Sequence, residues 1–383
     1  MKPGDPLEFR DVRSGDALTA RLERAMAAAE RAGRGPVTIM HVCGSHEQAI
    51  ARFGLRARFP ANLHVQMGPG CPVCVTDAPE IDACVALAQQ GFRVLTYGDM
   101  LRVPGSGPSL DDVRARGARV EIIYAATQAA EIARASNEPV IFFATGFETT
   151  AVATAAVLLA DPPANLFVLS AHKWVPAAME IVASSPGTLI EGYLAAGHAA
   201  TITGYGVFDS FVERHQKPVV VAGFEPLDLL SGITLLVERV LAMDRGDKAE
   251  VINAFPRCVS REGNRRALDM LFRVFETGDG EWRGIARVPG GDLHLHRELA
   301  AHDATIRFAA ELGAKRLPVL DTRVGECRCG GIMTGRETPT DCPLFGKECR
   351  PETPVGACMV STEGICRIWL EHGIDAGLRE RAR

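Results

Sequence analysis

Aromatic residues are scarce in this chain of 383 residues: 16 Phe, 4 Tyr and 3 Trp make up 6% of it, which leaves little material for platforms on which unpaired bases stack. A cationic block is missing too. The 42 Lys+Arg are outnumbered by 47 Asp+Glu, for a net charge of -5 with histidine neutral, and phosphate backbones are held by clustered positive charge. No nucleic-acid partner is expected. The most apolar run, Ala151 to Ala160, is half of the roughly 20 residues a membrane helix needs. The charged stretch Met1 to Arg13 has no apolar signal region, so we expect a cytoplasmic protein without a membrane span. Neither Gly-x-x-x-x-Gly-Lys-Ser/Thr nor Gly-x-Gly-x-x-Gly occurs, so nucleotide binding has no motif behind it.

Cysteine is plentiful, at 11 residues. Cys43, Cys71, Cys74 and Cys84 lie early, Cys258 stands alone, and Cys327, Cys329, Cys342, Cys349, Cys358 and Cys366 crowd the end. Without a secretion signal the default is reduced thiols, and such crowding then reads as metal binding or redox chemistry before structural disulfides.

From Pro36 onward short β-branched runs alternate with helical stretches: Val37 to Val42, Leu63 to Met67, Phe92 to Tyr97, Val120 to Tyr124, Val140 to Ala144, Leu166 to Ser170 and Val219 to Ala222. This rhythm predicts an α/β protein with parallel sheets covered by helices. The expected division is an N-terminal helical segment over 1–35, an α/β domain over 36–144 carrying Cys43 and the Cys71/Cys74 pair, a second α/β domain over 145–243, and a helical, Cys-rich domain over 244–383. Helices are expected at Ala267 to Thr277 and His302 to Leu312. Gly146-Phe-Glu148 and Gly223-Phe-Glu225 both directly follow apolar strands, and that sheet edge is where open α/β folds bind ligands.

Three constellations carry chemistry. In Met40-His-Val-Cys-Gly-Ser-His-Glu47 the strand ends near Val42, and Ser45 with Gln48 predicts a capping box opening a helix from Glu47 to Phe53. Cys43 then sits at a strand-to-helix switch, where the helix dipole favours a thiolate and His46 offers a proton acceptor or a second ligand. That suits a nucleophile or a metal ligand, although an isolated cysteine is more often a buried small hydrophobe.

In Gly68-Pro-Gly-Cys-Pro-Val-Cys-Val-Thr-Asp77, a Cys-x-x-Cys pair precedes a helix capped by Asp77 and Glu80. Thiol redox is the preferred reading. Half of a zinc site, completed by Cys43 and His46, and two inert cysteines are the alternatives.

In the tail, Cys327, Cys342, Cys349 and Cys366 are separated by Pro and Gly at spacings suited to an iron–sulfur cluster. The paired knuckles of a zinc ribbon are lacking, and zinc stays open as the bland alternative. Cys329 and Cys358 are left to form a redox pair beside the metal or simply to pack. A weaker signal is Thr145-Gly-Phe-Glu-Thr-Thr150, where Glu148, Thr149 and Thr150 either meet a ligand or only open a helix. Cys84 and Cys258 are expected in the core.

Together these residues resemble the HypD family of hydrogenase maturation factors. The matching segments are Cys43-Gly-Ser-His46, Gly68 to Thr76, Gly146 to Thr150, Gly223-Phe-Glu-Pro-Leu-Asp228, and the cysteines from Cys327 to Cys366. The resemblance implies two α/β (Rossmann- or thioredoxin-like) domains around a cleft plus an iron–sulfur domain. It also implies a scaffold, rather than a conventional turnover enzyme, on which the Fe(CN)2CO unit of [NiFe] hydrogenase is assembled. The small partner HypC would assist, HypE would deliver cyanide, and the product would pass to the hydrogenase large subunit. On this resemblance Cys43 holds the iron with His46 beside it, Cys71 and Cys74 exchange electrons, and Cys327, Cys342, Cys349 and Cys366 hold a [4Fe-4S] cluster. The competing expectation is an iron–sulfur thiol/disulfide oxidoreductase resembling ferredoxin-thioredoxin reductase, which needs neither Cys43 nor His46.

Overall fold

The computed structural model describes residues 9–313 and 325–373. Eleven strands are seen in order: β1 Val37–His41, β2 Leu63–Met67, β3 Arg93–Tyr97, β4 Val120–Ile123, β5 Val140–Gly146, β6 Leu166–His172, β7 Gly192–Ala196, β8 Val219–Ala222, β9 Val251–Asn253, β10 Phe275–Trp282 and β11 Ala286–Leu295. The first nine form two parallel sheets, ordered β2-β1-β7-β8-β9 and β4-β3-β5-β6. Both sheets are covered by helices, and β1, β5, β7 and β8 are buried at every position. That double burial is why their sequences read as continuous apolar runs instead of alternating ones. The expected α/β class, with a helical cysteine-bearing C-terminal region, is what the chain forms.

The strands are not dealt to the sheets in chain order. The chain starts one sheet with β1 and β2, leaves to build all of β3 to β6, and returns with β7 to β9. The expected boundary at 144/145 falls inside β5, and residues 192–253 return to the sheet of Cys43 instead of completing the other. The β–α alternation looks the same whether a strand pairs with its predecessor or with one 153 residues back, as Gly192 does with Ile39, so periodicity could not show this return.

The N-terminal helix Val12–Arg31 starts at Asp11, whose carboxylate accepts from the Ser14 amide, and buries Leu22 and Met26 with Leu229, Ile233 and Val237 of the helix Pro226–Met243. Past Met243 the chain is less helical than expected. Helix Arg265–Val274 stops where β10 begins, and two short helices, Ala304–Arg307 and Ala309–Gly313, stand in place of one. The β10–β11 hairpin is antiparallel, with a register shift between Gly278 and Gly280. Its glycines read as loop in the sequence. In the fold a Cβ on Gly280 would fall 1.8 Å from the Asp292 carboxyl carbon, so glycine is what lets this buried carboxylate cross the hairpin.

Candidate metal and thiol site

Cys43 ends the excursion of β1 and is the N-cap of helix Gly44–Arg52, with extended backbone at φ -155°. The helix starts three residues before the expected position. Ser45 does not cap it, because its hydroxyl donates to Glu363 Oε1 at 2.7 Å, 318 residues away. Cys43 is 2% exposed and packs with Ala196, Ala199 and Phe224. Burial pushes its thiol up to about 12, opposed by the first-turn amides of His46 and Ser45 and reinforced by the Glu363 carboxylate. The free thiol is therefore protonated, and a bound cation is what would convert it to thiolate.

His46 is fully buried. One nitrogen, Nε2, lies 3.3 Å from the Ala222 carbonyl; since a carbonyl only accepts, that nitrogen carries the proton. Nδ1 is then a bare lone pair, and it has no partner. Burial, followed by the nearby His41 and His198, drives the His46 pKa well below the usual imidazole range.

Beneath this wall lies a charged hub that the sequence did not reveal. Glu47, fully buried, takes hydrogen bonds from Arg56 Nη2 at 2.7 and 2.5 Å and from Trp369 Nε1 at 2.8 Å, and faces His41 Nε2 at 2.8 Å. Burial acts to raise its pKa, but Arg56 and His41 outweigh it and hold the carboxyl below the ordinary range. His41 Nδ1 in turn donates to the Cys43 carbonyl at 3.1 Å. The backbone of Cys43 is thus tied through His41 and Glu47 to Trp369 in the tail.

The dithiol loop touches the same backbone. Cys71 and Cys74 form a disulfide with Cα atoms 5.3 Å apart, both sulfurs belonging to fully buried residues. The Gly70 carbonyl accepts from the Gly44 amide at 3.0 Å, and a Cβ on Gly70 would lie 2.1 Å from the Cys43 nitrogen. As expected from the Asp77/Glu80 pair, the next helix, Ala78–Gln89, is capped by Glu80 accepting from the Asp77 amide at 2.8 Å. The other Glu80 oxygen meets Lys173 Nζ at 2.8 Å, and Lys173 also reaches Asp292 at 2.8 Å. Burial of Lys173 is overcome by these two carboxylates, which keep it charged with no exposed surface.

All six tail cysteines, Cys327, Cys329, Cys342, Cys349, Cys358 and Cys366, line one small cavity together with Ile332, Phe345 and Met359. Cys329 and Cys358 stand 3.3 Å apart, sulfur to sulfur. Burial, with the neighbouring thiols Cys329, Cys342 and Cys349 adding to it, pushes Cys327 up to about 12. Among the described residues no three His, Cys, Asp or Glu side chains form a group set to hold a metal ion; the thiols ring a cavity instead. The hairpin turn bridges this cavity to the dithiol loop, since the Arg283 amide donates to Val75 O at 3.0 Å and a Cβ on Gly330 would fall 2.2 Å from Gly284 O.

The remaining candidates have other neighbours. Glu148 is fully buried at the start of helix Glu148–Leu159 and accepts from the Val175 amide at 3.0 Å, while Oε2 has no partner. Thr149 and Thr150 follow, half-buried. Cys84 lies in the core as expected. Cys258 does not: it is exposed, because Val259, next to it, takes the inward position. No helix among the described residues is long and apolar enough to cross a membrane.

Two parallel sheets covered by helices, carrying a buried cysteine at a strand-to-helix switch, a buried Cys-x-x-Cys disulfide and a six-cysteine tail, define a thiol-rich α/β protein. The family model HypD, described as the hydrogenase formation hypA family, matches residues 17–373. The hydrogenase maturation factor HypD2 of Bradyrhizobium diazoefficiens is 41% identical over 97% of this chain and 97% of its own. The HypD factors of Azotobacter vinelandii and Cupriavidus necator are each 39% identical over 96% of both chains. The chain belongs to the HypD family of hydrogenase maturation factors.

Proposed function

We propose that this protein is a redox-active scaffold on which, together with HypC, the Fe(CN)2CO unit of the [NiFe] hydrogenase site is assembled, with cyanide received from HypE and the product bound for the hydrogenase large subunit. The observation that carries it is the meeting of three cysteine groups. The backbone of Cys43 abuts the Cys71–Cys74 loop at Gly70, and the next two residues, Gly44 and Ser45, meet the cysteine tail at Glu363, at the sheet edge where α/β folds bind ligands.

In this reading Cys43 holds the iron as thiolate, a soft ligand suited to low-spin iron carrying cyanide and carbon monoxide. Its proton leaves as the cation binds, and the bare Nδ1 of the neutral His46 stays available as a lone pair on the same helical turn. The apolar packing of Ala196, Ala199 and Phe224 around Cys43 excludes water. Reduction of the Cys71–Cys74 bond breaks one S–S bond, takes up two electrons and two protons, and leaves two thiols. What supports an iron–sulfur cluster in the tail is that all six thiols line one small cavity. Cys327, Cys342, Cys349 and Cys366 would hold it, and it would supply single electrons. Cys329 and Cys358 remain as a close thiol pair. Full burial of Cys71 and Cys74 favours the scaffold over a thiol/disulfide reductase, whose protein substrate has to reach a sulfur.

The test is infrared spectroscopy on protein purified without oxygen from cells expressing the other maturation factors. Bands of iron-bound cyanide and carbon monoxide are expected in the native protein and not in Cys43→Ala, while Cys342→Ala loses iron and acid-labile sulfide from the tail. A brown, HypC-bound protein without such bands would leave the reductase as the better reading, and zinc in place of iron would exclude both.

A further inference from the structure

The wall around Cys43 is made by the ends of three neighbouring strands, β1, β7 and β8. The first supplies Cys43 and His46, the second Ala196 and, two residues on, His198, the third Phe224. Gly197 makes this possible: a Cβ there would fall 2.5 Å from the Ala222 carbonyl, so only glycine lets helix Gly197–Thr203 start flush against β8. The result is a Phe224 ring between two imidazoles. His46 lies 5.0 Å from its centroid at 38° and His198 lies 5.1 Å away at 36°.

These two imidazoles differ in what they can offer. His46 has its one N–H directed at the Ala222 carbonyl and a bare Nδ1, so it has no proton left to donate. His198 is half-buried, and neither of its ring nitrogens has a protein partner among the described residues. Cys43, Ala196, Ala199 and Phe224 have no N–H on their side chains, and the Ser45 hydroxyl is engaged by Glu363. Of these described residues, His198 is the one whose side-chain N–H is left without a partner.

Deepening the scaffold reading, on which it rests, we propose that His198 is a binding residue for the iron unit and donates a hydrogen bond from its imidazole to the nitrogen of one cyanide ligand. Cyanide bound to iron keeps a lone pair and negative charge density on its nitrogen, whereas the oxygen of bound carbon monoxide is a poor acceptor. In a water-excluded wall such a ligand requires a donor, and a charge-assisted hydrogen bond there is stronger than a neutral one. The arrangement also gives the site a means to distinguish a cyanide position from that of carbon monoxide.

The experiment uses full-length protein isolated without oxygen from cells expressing the other maturation factors. Transfer of the native protein into D2O is expected to shift one cyanide band and leave the carbon monoxide band in place. In His198→Leu that D2O sensitivity disappears, the same cyanide band moves, and iron is lost on gel filtration about tenfold faster; His198→Gln, which keeps an N–H donor, restores all three. Native bands that ignore D2O, or a His198→Leu protein with unchanged bands and iron retention, overturn the role of His198 while leaving Cys43 as the iron holder. Native protein with no cyanide bands at all overturns the scaffold reading itself.

Discussion

Glu148 shows what the fold adds to a side chain read from its motif. Its position after β5 leaves it to meet a ligand or only to open a helix, and in the fold it accepts from the Val175 amide, 27 residues on, while Oε2 has no partner. Burial alone raises it to about 7, with the amides of Glu148 and Val175 opposing. A carboxyl whose folded pKa exceeds its unfolded value binds its proton more tightly when folded. The stability it contributes is complete below the ordinary carboxylate range and is lost as pH rises through about 7. Glu148→Gln keeps the acceptor for Val175 and removes the charge. Between pH 5 and 8 the native protein should lose up to about 3 kcal/mol that the variant retains, read as the difference between their Tm-against-pH curves. Parallel curves would mean that Glu148 is hydrated. The positions of Cys43, Cys71 and Cys74 were legible, since each stands where a strand gives way to a helix. Glu47 and Lys173 were not legible, because Trp369 lies 322 residues from Glu47, and Glu80 and Asp292 lie 93 and 119 residues from Lys173, and His198 was missed because the strand before it, β7, was not recognised.

At the level of elements, the dithiol loop explains its own glycines. Gly70 is the residue through which the loop rests on the chain at Cys43, and the atoms a side chain would strike there are backbone, the Cys43 nitrogen at 2.1 Å and the Val42 carbonyl carbon at 2.2 Å. No rotamer change relieves such an overlap, so the loop or β1 has to move. Gly70→Ala should cost about 1–3 kcal/mol in a denaturant titration and reduce retention of the iron unit. Gly35→Ala, with nothing within 4 Å of its Cβ, should change neither. Equal midpoints for both variants would show that loop and strand are less tightly joined than this. The β–α rhythm and the Asp77/Glu80 cap could be read from sequence because both are local patterns. The return of β7 to β9 to the first sheet and the β10–β11 hairpin could not, since a sheet's membership is decided by long-range packing and a hairpin with Gly278, Gly280, Gly290 and Gly291 has only Thr277 and Val288 as β-branched residues in its strands.

Over the whole molecule, the six-cysteine tail is coupled to Cys43 by few but buried contacts. Trp369, in helix Ile365–His372, donates to Glu47 and carries the Arg56 guanidinium over its ring at 5.3 Å. Glu363 takes the Ser45 hydroxyl, and its carbonyl leaves no room for a Cβ on Gly44, which would approach to 2.4 Å. Trp369→Phe keeps an aromatic ring for Arg56 but removes the N–H, leaving the Glu47 carboxylate one donor short in a site without water access. A buried acceptor deprived of its donor costs about 1–3 kcal/mol. That loss falls on the docking of the tail, not on either sheet. Hydrogen exchange should therefore quicken in helices Ile365–His372 and Gly44–Arg52, while β3, β5 and β6, which share no contact with the hub, exchange as in the native protein. Uniform acceleration would mean that tail and sheets unfold as one unit. Protection confined to its native values would mean that Glu47 is satisfied by Arg56 and His41 alone, and that the tail is anchored to Cys43 through Glu363.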